Sequence, residues 1–196
     1  MDKIKFFFNF LRDRQVASIT PTARMAVEHT CKPIDRAKPV VVVEYGPGTG
    51  VFTRHLMSTL APGSRIIAID RNEDFAKDLP RRATPKFDSK DTPAVQLESL
   101  HDDARRVADI LHKRGIDQAD YVISGIPFSF LSVEDKATLA AKTRAALKPG
   151  GMFIVYQVTF HMEPWLRETF DDVRTHWYWL NVPPLAIMEA TTKRSR

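Results

Sequence analysis

The sequence predicts an α/β fold: a mostly parallel, seven-stranded sheet with helices on both faces, closed by an antiparallel hairpin. Three observations carry this reading. Val40–Val43 is an apolar run without polar alternation, the pattern of a strand buried on both faces of a parallel sheet. It runs into Gly46-Pro47-Gly48-Thr49-Gly50 and then into a helical pattern over Val51–Leu60, the strand–turn–helix order of a βα unit. Strand and helix patterns then alternate to Phe170, after which two strand patterns follow each other directly.

Composition sets the outer limits. The 196 residues suffice for one domain with a proper core, and 43% hydrophobic with 27% charged residues is ordinary globular material. The single cysteine, Cys31, excludes an internal disulfide, fits a reducing compartment and reads as a small packed residue. A net charge of +5 favours anionic partners. No apolar run approaches the roughly 18 residues of a membrane span. The six histidines are scattered without metal-ligand spacing, so no metal site is expected.

The N-terminus, Met1–Val16, places Ile4, Phe7, Phe8 and Leu11 on one helical stripe that Phe10 widens, with Lys3, Lys5 and Arg12 off it. Aromatic residues on one face with basic flanks describe a helix lying in a membrane interface, and Lys3, Ile4, Phe7, Phe8, Leu11 and Arg12 are its expected membrane contacts. It lacks the small-residue cleavage site of a signal peptide. Packing of the same stripe on the domain is the competing reading. A second helix begins near Thr20, a capping residue, with Pro21 at its first position.

After the first strand the glycine turn lets the backbone approach a ligand, and Phe52, Leu56, Met57 and Leu60 give the following helix one apolar face. The second strand, Arg65–Asp70, ends on an acid twenty positions after Gly50, where a carboxylate can hold both hydroxyls of a ribose. Asn72 caps a short helix reaching Leu79. Pro80–Pro93, with three prolines and four basic residues, reads as a loop, either solvated or a basic lid toward anionic headgroups. Val95–Leu100 is the third strand. A helix follows from about Asp103 to Arg114, stopped by Gly115, and either Asp102 or Asp103 can cap it. Asp120–Ser124 is the fourth strand, running into Gly125-Ile126-Pro127-Phe128. Ser132-Val133-Glu134-Asp135 opens a helix to Leu147 in the manner of a capping box. Lys148–Gly151 ends it, and Met152–Phe160 is the fifth strand. A short helix over Pro164–Phe170 precedes the hairpin of Val173–Val182 and Leu185–Thr192, connected through Asn181-Val182-Pro183-Pro184. Its Trp177, Tyr178 and Trp179 read as core packing ahead of cation–π recognition of an amine.

The glycine turn carries no P-loop lysine, and the acid before it, Glu44, repels a pyrophosphate but suits the cationic end of S-adenosylmethionine. E-Y-G-P-G-T-G, followed by Asp70 at the end of the next strand, resembles motifs I and II of the class I S-adenosylmethionine-dependent methyltransferases, over roughly residues 15–192. The resemblance implies a Rossmann-like domain over 17–196 behind an interfacial helix over 1–16, with S-adenosylmethionine as cofactor and S-adenosylhomocysteine as product. It places Glu44, Tyr45, Gly46, Gly48, Thr49, Gly50 and Ser124 around the cofactor and Asp70 and Arg71 at the ribose. Asp103 and Ala104 read the adenine, with Asp102 the competing acid. Ser124, Gly125 and Ile126 lie where the methyl acceptor meets the sulfonium, and Tyr45 is the side chain expected to orient the acceptor amine, with packing as its other reading. The segment Ser18–Thr22 is expected to close over the cofactor.

Two groups within that superfamily share the pattern. Ribosomal RNA adenine dimethyltransferases pair E-x-G-P-G-x-G with N-[IL]-P-[YF] after strand four, where the asparagine holds the adenine amine. This chain has Gly125 at that position. The bacterial phospholipid N-methyltransferases are the better match: an amphipathic N-terminal helix, E-Y-G-P-G-T-G-V-F-T, S-G-[IL]-P after strand four and N-x-P-P in the closing hairpin. That resemblance implies methylation of phosphatidylethanolamine toward phosphatidylcholine by a monomer without nucleic-acid partner, peripheral on the inner face of the cell membrane. Adenine dimethylation in ribosomal RNA is the alternative.

Overall fold

The computed structural model describes residues 21–83 and 95–193. The helix expected over residues 1–16, with Lys3, Ile4, Phe7, Phe8, Leu11 and Arg12, lies outside the described residues, as does most of the loop expected over residues 80–93. Among the described residues no helix is long and apolar enough to cross a membrane.

Seven strands form one sheet in the order β3-β2-β1-β4-β5-β7-β6. They are β1 (Val41–Tyr45), β2 (Arg65–Asp70), β3 (Gln96–His101), β4 (Ala119–Ser124), β5 (Leu147–Gln157), β6 (Asp172–Tyr178) and β7 (Leu185–Thr191). β1 to β5 pair in parallel. β7 runs antiparallel to both β5 and β6, which leaves β6 parallel to the first five. The helices are α1 (Pro21–Thr30), α2 (Val51–Thr59), α3 (Glu73–Ala83), α4 (Val107–His112), α5 (Val133–Ala146) and α6 (Glu163–Thr169).

The apolar run of β1 explains the layering. Val43 and Tyr45 face a core shared with Ile110, Leu139 and Leu166 of α4, α5 and α6. Val42 faces the other core, with Ala26 and Val27 of α1 and Phe52 and Leu56 of α2. Residues of alternate parity are therefore buried on opposite faces, as a doubly covered parallel strand requires. α1 is also tied to the sheet edge, where His29 and His176 bring their Nε2 atoms to 3.1 Å and the His29 ring lies 4.7 Å from that of Tyr178.

Among the boundaries that differ from the sequence reading, four have a clear physical reason. α3 continues through Pro80 to Ala83 instead of stopping at Leu79. Pro80 has no N–H for the Ala76 carbonyl, but the Ser99 hydroxyl on β3 donates to that carbonyl at 2.7 Å, and Leu79 and Ala83 are buried. β5 begins at Leu147, ahead of the expected Met152, because residues 148–151 are paired by the far end of the chain: Gly150 N–H donates to Lys193 and Thr192 N–H to Gly151. β5 also stops at Gln157, short of the expected Phe160. The hairpin strands end at Tyr178 and restart at Leu185, so residues 179–184 form a six-residue connection. Trp179 consequently stands exposed rather than in the core, Trp177 is half-exposed against Phe160, and only Tyr178 of the three is buried.

The Ser99 hydroxyl carries a test. Ser99→Ala is expected to lower stability by about 1 kcal/mol, a fall in Tm of roughly 2–4 °C for a domain of this size. In a Pro80→Ala background, which restores an N–H for the Ala76 carbonyl, the same change should cost less. Calorimetry on the four proteins reads the coupling, and equal cost in both backgrounds would rule out the hydroxyl as the carbonyl's partner.

Candidate active site

The strand order reverses between β1 and β4, and a cavity of about 500 Å³ opens at the carboxyl ends of the strands there. This is where an open α/β sheet leaves a crevice, and the volume suits a nucleoside-sized ligand. Two glycines shape it. Gly46 has φ +64°, and a Cβ there would come within 3.2 Å of Ile126 Cγ1. Gly125 has ordinary φ, but a Cβ would lie 2.4 Å from the Tyr156 hydroxyl. Tyr156 cannot yield easily, because it is buried and stacked on Phe52 with ring centroids 4.0 Å apart.

Asp70, at the end of β2, faces the cavity. Its carboxylate accepts from Gly48 N–H at 3.1 Å and from Asn72 N–H at 2.8 Å. Burial pushes its carboxyl above the usual aspartate value, against the pull of those two N–H groups. Asn72 in turn caps α3, its side-chain oxygen accepting from Asp74 N–H at 2.9 Å.

Asp103 borders the cavity on the β3 side. The Arg105 guanidinium donates to both of its oxygens, at 2.7 and 3.0 Å, and holds its carboxyl below the usual range. Asp103 also caps the turn that follows, accepting from Arg105 N–H. Arg105 reaches on to Asp135 in the first turn of α5. One arginine thus ties the acid to the helix that leaves β4.

At the end of β4, Gly125 N–H donates to the Tyr45 carbonyl at 3.2 Å, and the Ser124 hydroxyl accepts from Ile126 N–H at 3.2 Å. The Gln157 amide donates to the Ile126 carbonyl, while its own Oε1 is buried with no hydrogen-bond partner among the described residues.

The structure brings Gly46, Gly48, Asp70, Arg71, Asp103, Ala104, Gly125 and Ile126 together around the cavity, with Asp102 beside Asp103. It does not bring the other expected residues there. The Tyr45 side chain is a correction: it is fully buried, its hydroxyl lies 3.2 Å from Thr143 Oγ1 on α5, and burial pushes its phenol up. It packs in the core, the other reading of this residue, and does not border the cavity. Glu44 is buried facing α2, where it accepts from the Thr53 hydroxyl at 2.6 Å. Thr49, Gly50 and Ser124 shape the turn and strand ends without bordering the cavity; Gly50 is the N-cap of α2.

Sequence reasoning missed Asn72, Phe75, Arg105, Phe130 and Leu131, which complete the wall, and Gln157 behind it. Asn72 and Phe75 follow Asp70 closely enough for the acid to have drawn them in. Gln157 was findable from register: Ser124 lies opposite Val155, which puts Gln157 level with Ile126. Nothing local marks Arg105 beyond its charge.

Comparison with known proteins agrees with this geometry. The profile of the family described as "Methyltransferase domain" matches residues 43–153. The chain is similar to an ornithine lipid N-methyltransferase of Singulisphaera acidiphila, 29% identical over 187 residues that cover 92% of this chain and 93% of that protein. Among solved structures it resembles the N-methyltransferase NodS from Bradyrhizobium japonicum, with TM-score 0.69 and 11% identity over 90% of this chain and 99% of that one. It also resembles magnesium protoporphyrin IX methyltransferase from Synechocystis, crystallised with bound SAM, with TM-score 0.66 and 13% identity over 94% and 85% of the two chains.

The Gly125–Tyr156 contact is testable by itself. Gly125→Ala is expected to cost about 1–3 kcal/mol of stability, the range for overpacking. Paired with Tyr156→Leu the added cost should shrink, as read from denaturant titrations. A cost that stays the same in that background would show that Tyr156 is not what excludes a side chain.

Proposed function

The chain belongs to the methyltransferase-domain family, and from that membership we propose that it methylates the amine of a membrane-lipid headgroup, with phosphatidylethanolamine as its first substrate. The methyl donor is S-adenosylmethionine. The observation that carries the reaction type is the meeting of Gly46, Asp70, Asp103 and Gly125 in one cavity. Its lipid character rests on the near full-length similarity to a lipid N-methyltransferase and on the Phe-rich, basic N-terminal sequence.

The residues present fit the donor. Gly46 leaves the room that a Cβ would fill, Asp70 offers a carboxylate at ribose position, and Asp103 with Ala104 offers the acceptor–donor pair an adenine edge needs. When bound, the sulfonium supplies an activated methyl group and a neutral leaving group. The chain's own contribution is placement. Gly125 borders the cavity with no side chain of its own, and Gln157, behind the wall, fixes the Ile126 carbonyl. Tyr45 is not the base, since its phenol is buried and engaged with Thr143. Adenine in ribosomal RNA has no support in this site: the asparagine that would hold it has no room at 125 against Tyr156.

A second headgroup has its own support. Ornithine, the headgroup in the name of that relative's lipid, also carries a primary amine, so the two headgroups call for the same amine methylation. Radiolabelled S-adenosylmethionine with vesicles of phosphatidylethanolamine, vesicles of ornithine lipid and ribosomal RNA in parallel separates them. Label is expected in the phosphatidylethanolamine, at a nitrogen carrying one to three methyl groups. Label in ornithine lipid alone would move the assignment to that headgroup, and label in neither lipid would overturn the lipid reading.

Asp70 sets the pH dependence of donor binding. Its carboxylate accepts from both ribose hydroxyls, with charge assistance, when ionised, and burial raises its pKa. Affinity should therefore weaken as pH falls through a value above the ordinary aspartate pKa of about 3.9. Asp103 is held ionised by Arg105 and does not titrate in that window. Asp70→Asn is expected to cost about ten- to a hundredfold in affinity, the loss of hydrogen bonds to a charged group, and to flatten the profile. Calorimetric titration across acidic pH measures both; an unchanged profile in the variant would remove Asp70 from the ribose site.

A further inference from the structure

Seven large apolar side chains are exposed among the described residues: Met25, Phe130, Val133, Trp177, Trp179, Leu180 and Val182. All but Met25 lie along one rim. Phe130 and Val133 follow β4 at its carboxyl end, and Trp177 to Val182 occupy the carboxyl end of β6 and the connection after it. Because β7 reverses between them, β6 runs parallel to β4 and β5, so these two groups share the edge of the sheet where the cavity opens. Phe130 belongs to both the rim and the cavity wall.

The outer part of this rim is strongly exposed: Trp179 by 69%, Leu180 by 59% and Val182 by 91%. Trp177 packs between Phe160, at 4.7 Å, and Trp179, at 5.7 Å, so the aromatic rings form a continuous ledge rather than scattered surface residues. Contiguous apolar surface of this kind marks an interaction site. Tryptophan beside aliphatic side chains is the composition found at the boundary between headgroups and acyl chains. The occupant follows from position. A lipid amine is reached without extracting the lipid only if the cavity mouth is held at headgroup depth, and this ledge stands on the same edge of the sheet as that mouth.

We propose that the rim is a bilayer-docking surface, with Trp179, Leu180 and Val182 entering the headgroup–acyl boundary so that the cavity mouth faces the membrane. The choice of occupant rests on the lipid reading of the site. The contact is apolar, so it holds at high salt, unlike attraction between basic residues and anionic lipid.

The test uses the full chain and vesicles of phosphatidylcholine with phosphatidylglycerol, neither of which carries a methylatable amine. Docking is thereby read separately from methyl transfer: binding here, together with no label in either lipid of the transfer assay, would leave the rim standing and sink the substrate. At high salt the triple variant Trp179→Ser, Leu180→Ser, Val182→Ser is expected to lose at least about tenfold in vesicle partitioning, with S-adenosylmethionine affinity unchanged as the control for folding. Tryptophan fluorescence of the unaltered protein should be quenched by vesicles with brominated acyl chains, and most of that quenching should vanish in Trp179→Phe. Partitioning that is unchanged in the triple variant overturns the proposal. So does a Trp179 already shielded from aqueous iodide before vesicles are added, which would mean that residues 1–20 or a second copy of the chain cover the rim.

Discussion

Gly46 N–H reaches the Ile69 carbonyl at 2.8 Å, and Gly125 N–H reaches the Tyr45 carbonyl at 3.2 Å. These two bonds carry the sheet one residue beyond the ends of β1 and β4, with both extensions made by glycine. That constraint sets the rest of the site. The backbone must stay in ladder register to the last residue of each strand, and then leave it with no side chain in the way. Gly46 cannot take a Cβ because Ile126 closes over it, and Gly125 cannot because Tyr156 stands against it. The floor of the opening at the strand ends is therefore set by backbone and packed side chains, while Arg71, Asn72 and Phe130 border it from more exposed positions.

The charged groups serve position more than stability. Arg105 is partly exposed, and ion pairs in such settings contribute little to folding. Its use lies in geometry: it ties Asp103, expected at the adenine, to the first turn of α5, which follows β4. Asp70 is held differently, by two backbone N–H groups from the glycine turn and the α3 cap. A ribose bound there would meet an acid already oriented by the loop beneath it.

Much of this was legible in the sequence, for identifiable reasons. The unbroken apolar run of β1, the glycines after it and the acid closing β2 are local patterns, and the fold and most of the cavity wall follow from them. What failed was direction. On a strand buried on both faces, alternation says that Glu44 and Tyr45 point opposite ways but not which one borders a cavity; neither does, because both faces are covered by helices. Pro80 failed for a non-local reason, since the carbonyl it strands is served by a hydroxyl on β3. Trp179 failed because aromatic content suggests burial, whereas the ladder that would have buried it ends one residue earlier.

The reversal of β7 has a consequence beyond closing the sheet. With β5 and β6 both paired to it in antiparallel fashion, the connection between β6 and β7 is returned to the same edge as the turns after β1, β2 and β4. A sixth strand antiparallel to β5 would have put Trp179, Leu180 and Val182 at the opposite edge, far from the cavity. One strand direction thus places the most exposed apolar residues of the described chain on the same edge as the mouth through which an acceptor must enter. A soluble acceptor would not itself require that juxtaposition, and exposed Trp, Leu and Val carry a cost in water. For an acceptor anchored in a bilayer it removes the need to lift the lipid out of the membrane, because the surface that is costly in water becomes favourable where the substrate resides.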